Sequence, residues 1–200
     1  MHLKKFAAAS VASSVASLVV ALSLAGPANA AVLLGTGGSS ANTVTDYSEQ
    51  GAVAFDLDLE NFNAATLRFV LEEEDLLGPL SLNAIVRNLS GTALNQFHIK
   101  LKGISFAAPG SVTPTFGSLD GVKHGADYAG IAFARPEWAE FHFGNPLAVD
   151  GSADWLLDTR GLRAGDAFVI TANVPEPGTL ALMLPALCMA GLVARRRKKG

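Results

Sequence analysis

The sequence predicts an all-β protein, an antiparallel β-sandwich set between two apolar ends. Residues 51–174 contain short stretches in which apolar and polar side chains alternate with a period of two, as on half-buried strands. Gly, Pro, Asn and Asp interrupt these stretches at short intervals, and no long stretch carries an apolar stripe of helical spacing. About seven strands over this length favour a sandwich of the Ig-like or jelly-roll-like kind.

The N-terminus has the three parts of a secretory signal peptide over residues 1–30. Lys4 and Lys5 precede an apolar run over 6–24, and a Pro and small residues follow. This pattern predicts export and cleavage by signal peptidase, with a mature protein that begins at Ala31. An uncleaved helical anchor is the alternative, but the run is only modestly apolar. The predicted cleavage site consists of Ala28, Ala30 and Ala31.

Residues 31–50 are rich in Gly, Ser and Thr and are predicted to form a flexible leader or a poorly paired first strand. The predicted sandwich domain follows over 51–174. Its strands include "AVAFDLDLENF", "LSLNAIVRNLSG", "YAGIAFARPEWAEFHFG" and "GDAFVITANV". The side chains predicted to point inward are Phe55, Leu57, Leu67, Phe69, Ile85, Phe97, Ile99, Phe133, Phe141, Phe168 and Ile170.

Charge and cysteine content exclude some classes of protein. Residues 31–174 carry eight Lys and Arg against seventeen Asp and Glu, a net charge of −9. Such a segment repels phosphate backbones, so no nucleic-acid partner is expected. The single cysteine, Cys188, lies near the C-terminus, which excludes a disulfide framework or a cysteine-ligated zinc within the domain.

Three carboxylates, Asp56, Asp58 and Glu60, are predicted to share one strand face with no basic residue among them. Their repulsion can be relieved by a cross-strand Arg or Lys, by water, or by Ca²⁺. A calcium site is therefore one alternative here, although solvated faces are commoner. Otherwise no cofactor is expected. A second acidic set of the same kind consists of Asp150, Asp154 and Asp158.

A second candidate site consists of Trp138, Glu140 and His142, which alternate along one predicted strand and would lie about 6.8 Å apart. An indole that stacks on a sugar ring beside two hydrogen-bonding groups is the composition of a glycan-binding patch. The alternatives are that Trp138 covers an edge of the sandwich, or that Pro136 delays the strand and inverts its faces.

The sequence contains no nucleophile elbow, phosphate-binding loop, dinucleotide fingerprint or zinc-binding His pair. We therefore expect that the protein is not an enzyme. A carbohydrate-binding module using Trp138 and a secreted hydrolase using Asp or Glu are the alternatives from other classes.

Residues 175–200 form a distinct C-terminal segment. Pro175, Glu176 and Pro177 must be extended because both prolines fix φ and lack a backbone donor. Residues 179–194 carry no charge and predict a transmembrane helix of about 24 Å, slightly short of a bilayer core. The basic tail over 195–200 is predicted to stay cytoplasmic. Its cationic anchor consists of Arg195, Arg196 and Arg197.

This order of Pro-Glu-Pro, apolar span and Arg cluster at the chain end resembles the PEP-CTERM sorting signal of Gram-negative bacteria. The resemblance covers about 26 residues. It implies processing by exosortase, a membrane-embedded cysteine protease/transpeptidase, with Pro175, Glu176 and Pro177 as the recognised motif. It also implies a precursor tethered transiently to the inner membrane and then sorted to the cell surface or extracellular matrix. The expected role is structural or adhesive, in association with exopolysaccharide.

Overall fold

The structure, a computed structural model, describes residues 31–175 and consists of two β-sheets packed face to face. The first sheet contains, in spatial order, β1 (Val32–Gly38), β4 (Ala65–Val70), β13 (Ala167–Asn173), β6 (Leu94–Lys102), β10 (Tyr128–Glu137) and β9 (Ser118–His124). The second contains β2 (Thr43–Asp46), β3 (Ala52–Leu59), β5 (Leu80–Asn88), β11 (Glu140–Phe143) and β8 (Val112–Pro114), with β12 (Trp155–Asp158) paired to β5 and to β7 (Ser105–Ala108).

The prediction of a nearly all-β protein is confirmed. The helical structure within 31–175 is one short 3₁₀ turn at Glu74–Leu77, and this part of the chain has no helix long and apolar enough to cross a membrane. The predicted signal peptide over 1–30 and the predicted transmembrane helix over 179–194 lie outside the described residues.

The period-two alternation produces the core. On β3 the side chains of Val53, Phe55, Leu57 and Leu59 are buried, while the residues between them are half-buried on the opposite face. Every side chain that was predicted to point inward is buried except Ile85, which is half-buried on the outer face of β5. The prediction for Ile85 is wrong because its neighbours Ala84 and Val86 on β5 are the buried residues. Successive side chains of a strand point to opposite faces, so Ile85 points outward.

Aromatic contacts join the two sheets. The ring of Phe141 on β11 lies 5.1 Å from the ring of Phe97 on β6 and 5.4 Å from that of Phe133 on β10, both nearly edge-on. Trp155 on β12 is fully buried and stacks on Phe143 at 4.6 Å. A single apolar cluster thus fills the space between the sheets, as layered architecture requires.

Of the two alternatives for residues 31–50, a flexible leader or a first strand, the structure shows strands. Residues 32–38 form β1, which pairs with β4, and residues 43–46 form β2, which pairs with β3. Ala31 is itself only 1% exposed within the core. Backbone pairing holds these Gly- and Thr-rich residues in place where their side chains give no apolar alternation.

The prediction that all strands pair antiparallel is wrong for one pair of strands. β3 and β5 run parallel over eight residue pairs, from Ala52 beside Ser81 to Leu59 beside Asn88. The connection between them contains β4 of the other sheet, so the chain crosses the core and returns in the same direction. A crossover of this length suits a parallel pair.

The sandwich has two ends of different character. Strand β13 runs antiparallel to β4 and ends at Asn173, and the following Val174 is 8% exposed. We call the end where β13 finishes the exit end. Its connections are residues 39–42, 60–64, 89–93, 115–117 and 138–139. At the opposite, far end lie residues 47–51, 71–79, 103–104, 125–127, 144–154 and 159–166.

Candidate functional site

Arg87 neutralises the acidic face of β3. It lies on β5 directly beside Asp58 in the parallel pair, and its guanidinium donates to Asp58 at 3.0 Å and to Asp56 at 2.6 Å. The hydrogen bond to Asp56 raises the pKa of Arg87 most, and the bond to Asp58 raises it further. The cross-strand arginine was one of the three alternatives for relieving the repulsion, and it is the one that the structure shows. Glu60 lies beyond the end of β3, exposed to solvent, and is not part of this cluster.

The outer face of the second sheet joins parts of both sequence-predicted sites. Glu140 on β11 pairs with Arg87 on β5, and its carboxylate lies 3.7 Å from the Arg87 Nε. His142 shares this face, with its Nε2 3.7 Å from Glu140. Within the described residues this Nε2 is buried and has no hydrogen-bond partner. The arrangement is a polar network around one cation, because Asp56, Asp58 and Glu140 all approach Arg87.

The predicted glycan patch of Trp138, Glu140 and His142 is not assembled. Trp138 lies in the two-residue connection between β10 and β11, which belong to different sheets, so it does not share a strand face with the other two residues. Its side chain is 58% exposed at the exit end. The prediction that the three residues share one strand face is wrong because the stretch "YAGIAFARPEWAEFHFG" forms two strands and not one.

Glu137, at the end of β10, is a fully buried carboxylate that organises this connection. One oxygen accepts hydrogen bonds from the backbone N–H of Phe116 and Gly117 at 2.9 and 2.8 Å, and the other from Trp138 and Ala139 at 2.9 and 3.0 Å. Burial by itself raises the pKa of Glu137, but the four donors outweigh it and leave the pKa below its usual value. The charge thereby holds two connections of the exit end together.

A shallow groove crosses the outer face of the first sheet, with a volume of about 340 Å³. Tyr128 lies across Gly130, where a Cβ would collide with its ring and hydroxyl. The ring of His98 on β6 meets that of Tyr128 edge-on at 5.2 Å. Burial, and then the charge of Lys100, lower the pKa of His98. Lys123 also lines the groove, which therefore combines aromatic and hydrogen-bonding groups.

The described residues contain no group of three or more His, Cys, Asp or Glu arranged to hold a metal ion. The second acidic set is engaged in other ways. Asp154 accepts the backbone N–H of Asn145 at 2.7 Å. Asp158 is paired with Arg160, whose hydrogen bonds lower the pKa of Asp158 to about 2.

Sequence reasoning missed Arg87, Glu137 and the groove. The pairing of Arg87 with Asp58 depends on the parallel register of β3 and β5, which no local pattern indicates. Glu137 is buried on the same strand as Ile131 and Phe133, but the exposed Arg135 interrupts the alternation between them, so no local pattern marks its burial. A carboxylate at such a position requires hydrogen-bond donors.

The C-terminal motif follows the fold immediately. β13 lies between β4 and β6, so it is an interior strand of the first sheet, and Pro175 comes two residues after its end. Pro175 is half-buried. Glu176, Pro177 and the cationic anchor formed by Arg195, Arg196 and Arg197 lie outside the described residues.

Residues 173–198 match the family described as the PEP-CTERM protein-sorting motif. The resemblance that the sequence suggested is thereby confirmed, and the chain carries this motif at its C-terminal end. No curated protein and no solved structure matches the chain. The motif supports exosortase-dependent sorting of an exported protein from a membrane-anchored precursor.

Proposed function

We propose that this chain is a non-enzymatic protein of the cell surface or extracellular matrix, delivered as a membrane-tethered precursor and processed by exosortase. The observation that carries the proposal is the sorting motif at residues 173–198, which begins on the last residue of β13. The sandwich is the cargo, and we propose that its role is structural or adhesive, in association with exopolysaccharide.

The spacing supports a close tether. Five residues, 174–178, separate Asn173 from the uncharged run that begins at Thr179. Fully extended, they span at most about 17 Å. A folded domain this close to the membrane keeps the motif near the bilayer, which suits cleavage by a membrane-embedded enzyme.

The test of the sorting step changes the motif and leaves the apolar span unchanged. We expect Glu176→Ala and Pro177→Ala to be exported and inserted normally but to accumulate uncleaved in the membrane. The comparison variant replaces Arg195, Arg196 and Arg197 with neutral residues, which weakens cytoplasmic retention and leaves Pro175, Glu176 and Pro177 unchanged. Intact-mass measurement of membrane and surface fractions distinguishes these outcomes. A wild-type surface form that always retains its last twenty residues, in cells with active exosortase, would contradict exosortase processing.

We propose that signal peptidase cleaves the exported chain immediately before Ala31. Ala31 is 1% exposed, and β1 begins at the next residue. A peptidase needs an unpaired, extended substrate, so cleavage precedes the pairing of β1 with β4. N-terminal sequencing of exported protein should give Ala31, and a start at Met1 or inside β1 would refute this step.

Support for a non-enzymatic role comes from the engagement of the acidic groups. Asp56 and Asp58 are bound by Arg87, and Glu137 by backbone N–H groups. A glycosidase needs one carboxylic acid with a raised pKa facing a second carboxylate across a cleft. The pKa of Glu137 is lowered, which is opposite to that of a general acid. Hydrolysis of the matrix polymer by the purified protein would contradict the proposal that the protein is not an enzyme.

A second candidate function is saccharide binding in the groove of the first sheet, and not at Trp138 as the sequence suggested. The observation that favours it is the Tyr128 ring lying across Gly130 beside His98 and Lys123. Stacking on a ring and hydrogen bonds from its neighbours are the usual contacts of a sugar. We expect Tyr128→Ala to abolish retention on immobilised matrix polysaccharide and Tyr128→Phe to preserve most of it. Equal retention of wild type and Tyr128→Ala would exclude the groove.

A further inference from the structure

Three large apolar side chains are exposed together at the exit end. Phe116 is 61% exposed, Trp138 58% and Leu89 51%, and we call these three residues the aromatic tip. Single exposed apolar residues are ordinary on a protein surface, but contiguous ones mark a contact surface.

Buried polar groups hold the tip together. The carboxylate of Glu137 accepts the backbone N–H groups of both Phe116 and Trp138. The amide of Asn88, the residue before Leu89, donates to the Glu137 carbonyl at 3.2 Å. Three separate connections are thus fixed to one point, and the tip is a preorganised surface.

The tip lies at the end from which the chain leads to the sorting motif. In the antiparallel pair of β13 and β6, Asn173 lies beside His98, which brings Val174 to the level of Phe97. β6 begins at Leu94, which pairs with Glu137 and lies three residues, roughly 10 Å, further toward the tip.

The remaining chain covers the same distance. Residues 175–178, extended, span about 13 Å, so the uncharged run from Thr179 starts at about the level of the tip. When this run is held in a bilayer, the aromatic tip is brought to the membrane surface.

The distribution of charge favours the same orientation. The five connections of the exit end contain one charged residue, Glu60. The six connections of the far end contain nine Asp and Glu and two Arg, a net charge of −7. The far end also exposes apolar side chains, those of Tyr47, Leu77, Leu147 and Val149, so charge is what distinguishes the two ends. An end with exposed aromatic residues and almost no charge suits the headgroup boundary, where Trp is enriched, and a strongly acidic end suits water.

We propose that the aromatic tip rests on the phospholipid surface of the membrane that holds the precursor, with Trp138 and Phe116 at headgroup level. The inference rests on the proposed tethering, because a tip of three side chains binds a bilayer only marginally without the tail. The contact orients the sandwich with its acidic end outward and places the segment 175–178 against the membrane. Once exosortase has removed the tail, the tip releases readily.

The test measures lipid contact directly in the full-length precursor. The chain has two tryptophans, and Trp155 is fully buried, so Trp138 is the one that lipid can reach. The precursor is reconstituted in phosphatidylethanolamine and phosphatidylglycerol vesicles with or without brominated acyl chains, which quench nearby indoles. We expect brominated lipid to remove most of the Trp138 emission. In Trp138→Phe the residual emission of Trp155 should show no lipid-dependent loss.

A matched control places the indole at the far end. Leu77 is 83% exposed there, and Leu77→Trp in the Trp138→Phe background should remain unquenched. Equal quenching at both ends, or no quenching of Trp138, would overturn the inference. A change in Trp138 emission that follows protein concentration in detergent would assign the tip to a second copy and would also overturn it.

Vesicle flotation separates this inference from the proposed function. A precursor that floats with the vesicles while Trp138 stays unquenched is tethered but not docked, so only the inference fails. A precursor that does not float lacks the membrane tether, and the proposed function fails with it.

Discussion

Glu137→Gln should strongly destabilise the sandwich, although it changes a single atom and adds no volume. The carboxylate of Glu137 is fully buried and accepts four backbone hydrogen bonds of 2.8–3.0 Å. A glutamine keeps one acceptor oxygen and replaces the other with an NH₂ donor. Two of the four N–H groups then face a donor and lose their partner.

The magnitude follows from the number of unsatisfied groups. A buried donor left without an acceptor costs about 1–3 kcal/mol, so two of them lower the free energy of unfolding by about 2–4 kcal/mol after some local relaxation. Glu140→Gln is the matched control. The Glu140 side chain is 36% exposed and 3.7 Å from Arg87, and an exposed pair of this kind contributes at most ~1 kcal/mol.

The effect should depend on pH with a defined sign. The pKa of Glu137 is lowered in the folded protein relative to its usual value of 4.5. A lowered pKa stabilises the fold above the unfolded-state pKa, and this contribution is lost as the pH falls through the folded-state pKa. The difference between wild type and Glu137→Gln should therefore be constant from neutral pH to about 5 and shrink in more acidic solution.

Urea unfolding of the purified protein, followed by the change in tryptophan fluorescence as Trp155 leaves its buried site, measures the free energies of unfolding of both variants across this pH range. A Glu137→Gln protein as stable as Glu140→Gln at neutral pH would refute the assignment of the four hydrogen bonds as stabilising. A difference that grows in acid would show that the sign of the pKa shift is wrong.

Three further changes test the packing and the polar network. Arg87→Met should lower the free energy of unfolding by about 1–2 kcal/mol, because Asp56 and Asp58 lose their cation while water still partly screens their charges. Urea unfolding with and without added salt measures this change. Gly103→Ala should lower the free energy of unfolding by about 1–3 kcal/mol more than Gly161→Ala. Both glycines have positive φ, but a Cβ at Gly103 would lie 2.8 Å from a backbone carbonyl oxygen, whereas the space at Gly161 is open. Equal melting temperatures of the two variants would contradict this. Phe97→Ala should cost ~3–5 kcal/mol by opening a cavity between the sheets, and a loss below 1 kcal/mol in chemical denaturation would be inconsistent with its burial.

The strands that the sequence predicted are those whose alternation reflects burial. β3 and β13 place apolar side chains at every second position, so their existence and inward faces could be read directly. β1 and β9 could not, because their residues are mostly exposed and are held by backbone pairing with β4 and β10. Such strands carry little side-chain periodicity, and tertiary context determines them.

The candidate sites show the same limit. Alternation placed Asp56, Asp58, Glu140 and His142 on outer faces correctly, yet it could not show that Arg87 joins them, because that contact depends on strand order and register. The C-terminal motif differs because its information is linear. An enzyme that reads an extended segment needs only local sequence, so the motif was recognisable without the fold.

The positions of the two chain ends impose an order on the proposed pathway. β1 and β13 both pair with β4 and run parallel to each other, so Ala31 enters at the far end while Val174 leaves at the exit end. The seven residues of β13 separate these ends by about 23 Å along the strand. A chain held in the membrane by both its N-terminal and its C-terminal segments would have to bring both ends of the sandwich to one surface. Removal of the signal peptide before β1 pairs resolves this conflict, and it leaves a folded domain from which the chain leads to the sorting motif at the end that carries the aromatic tip.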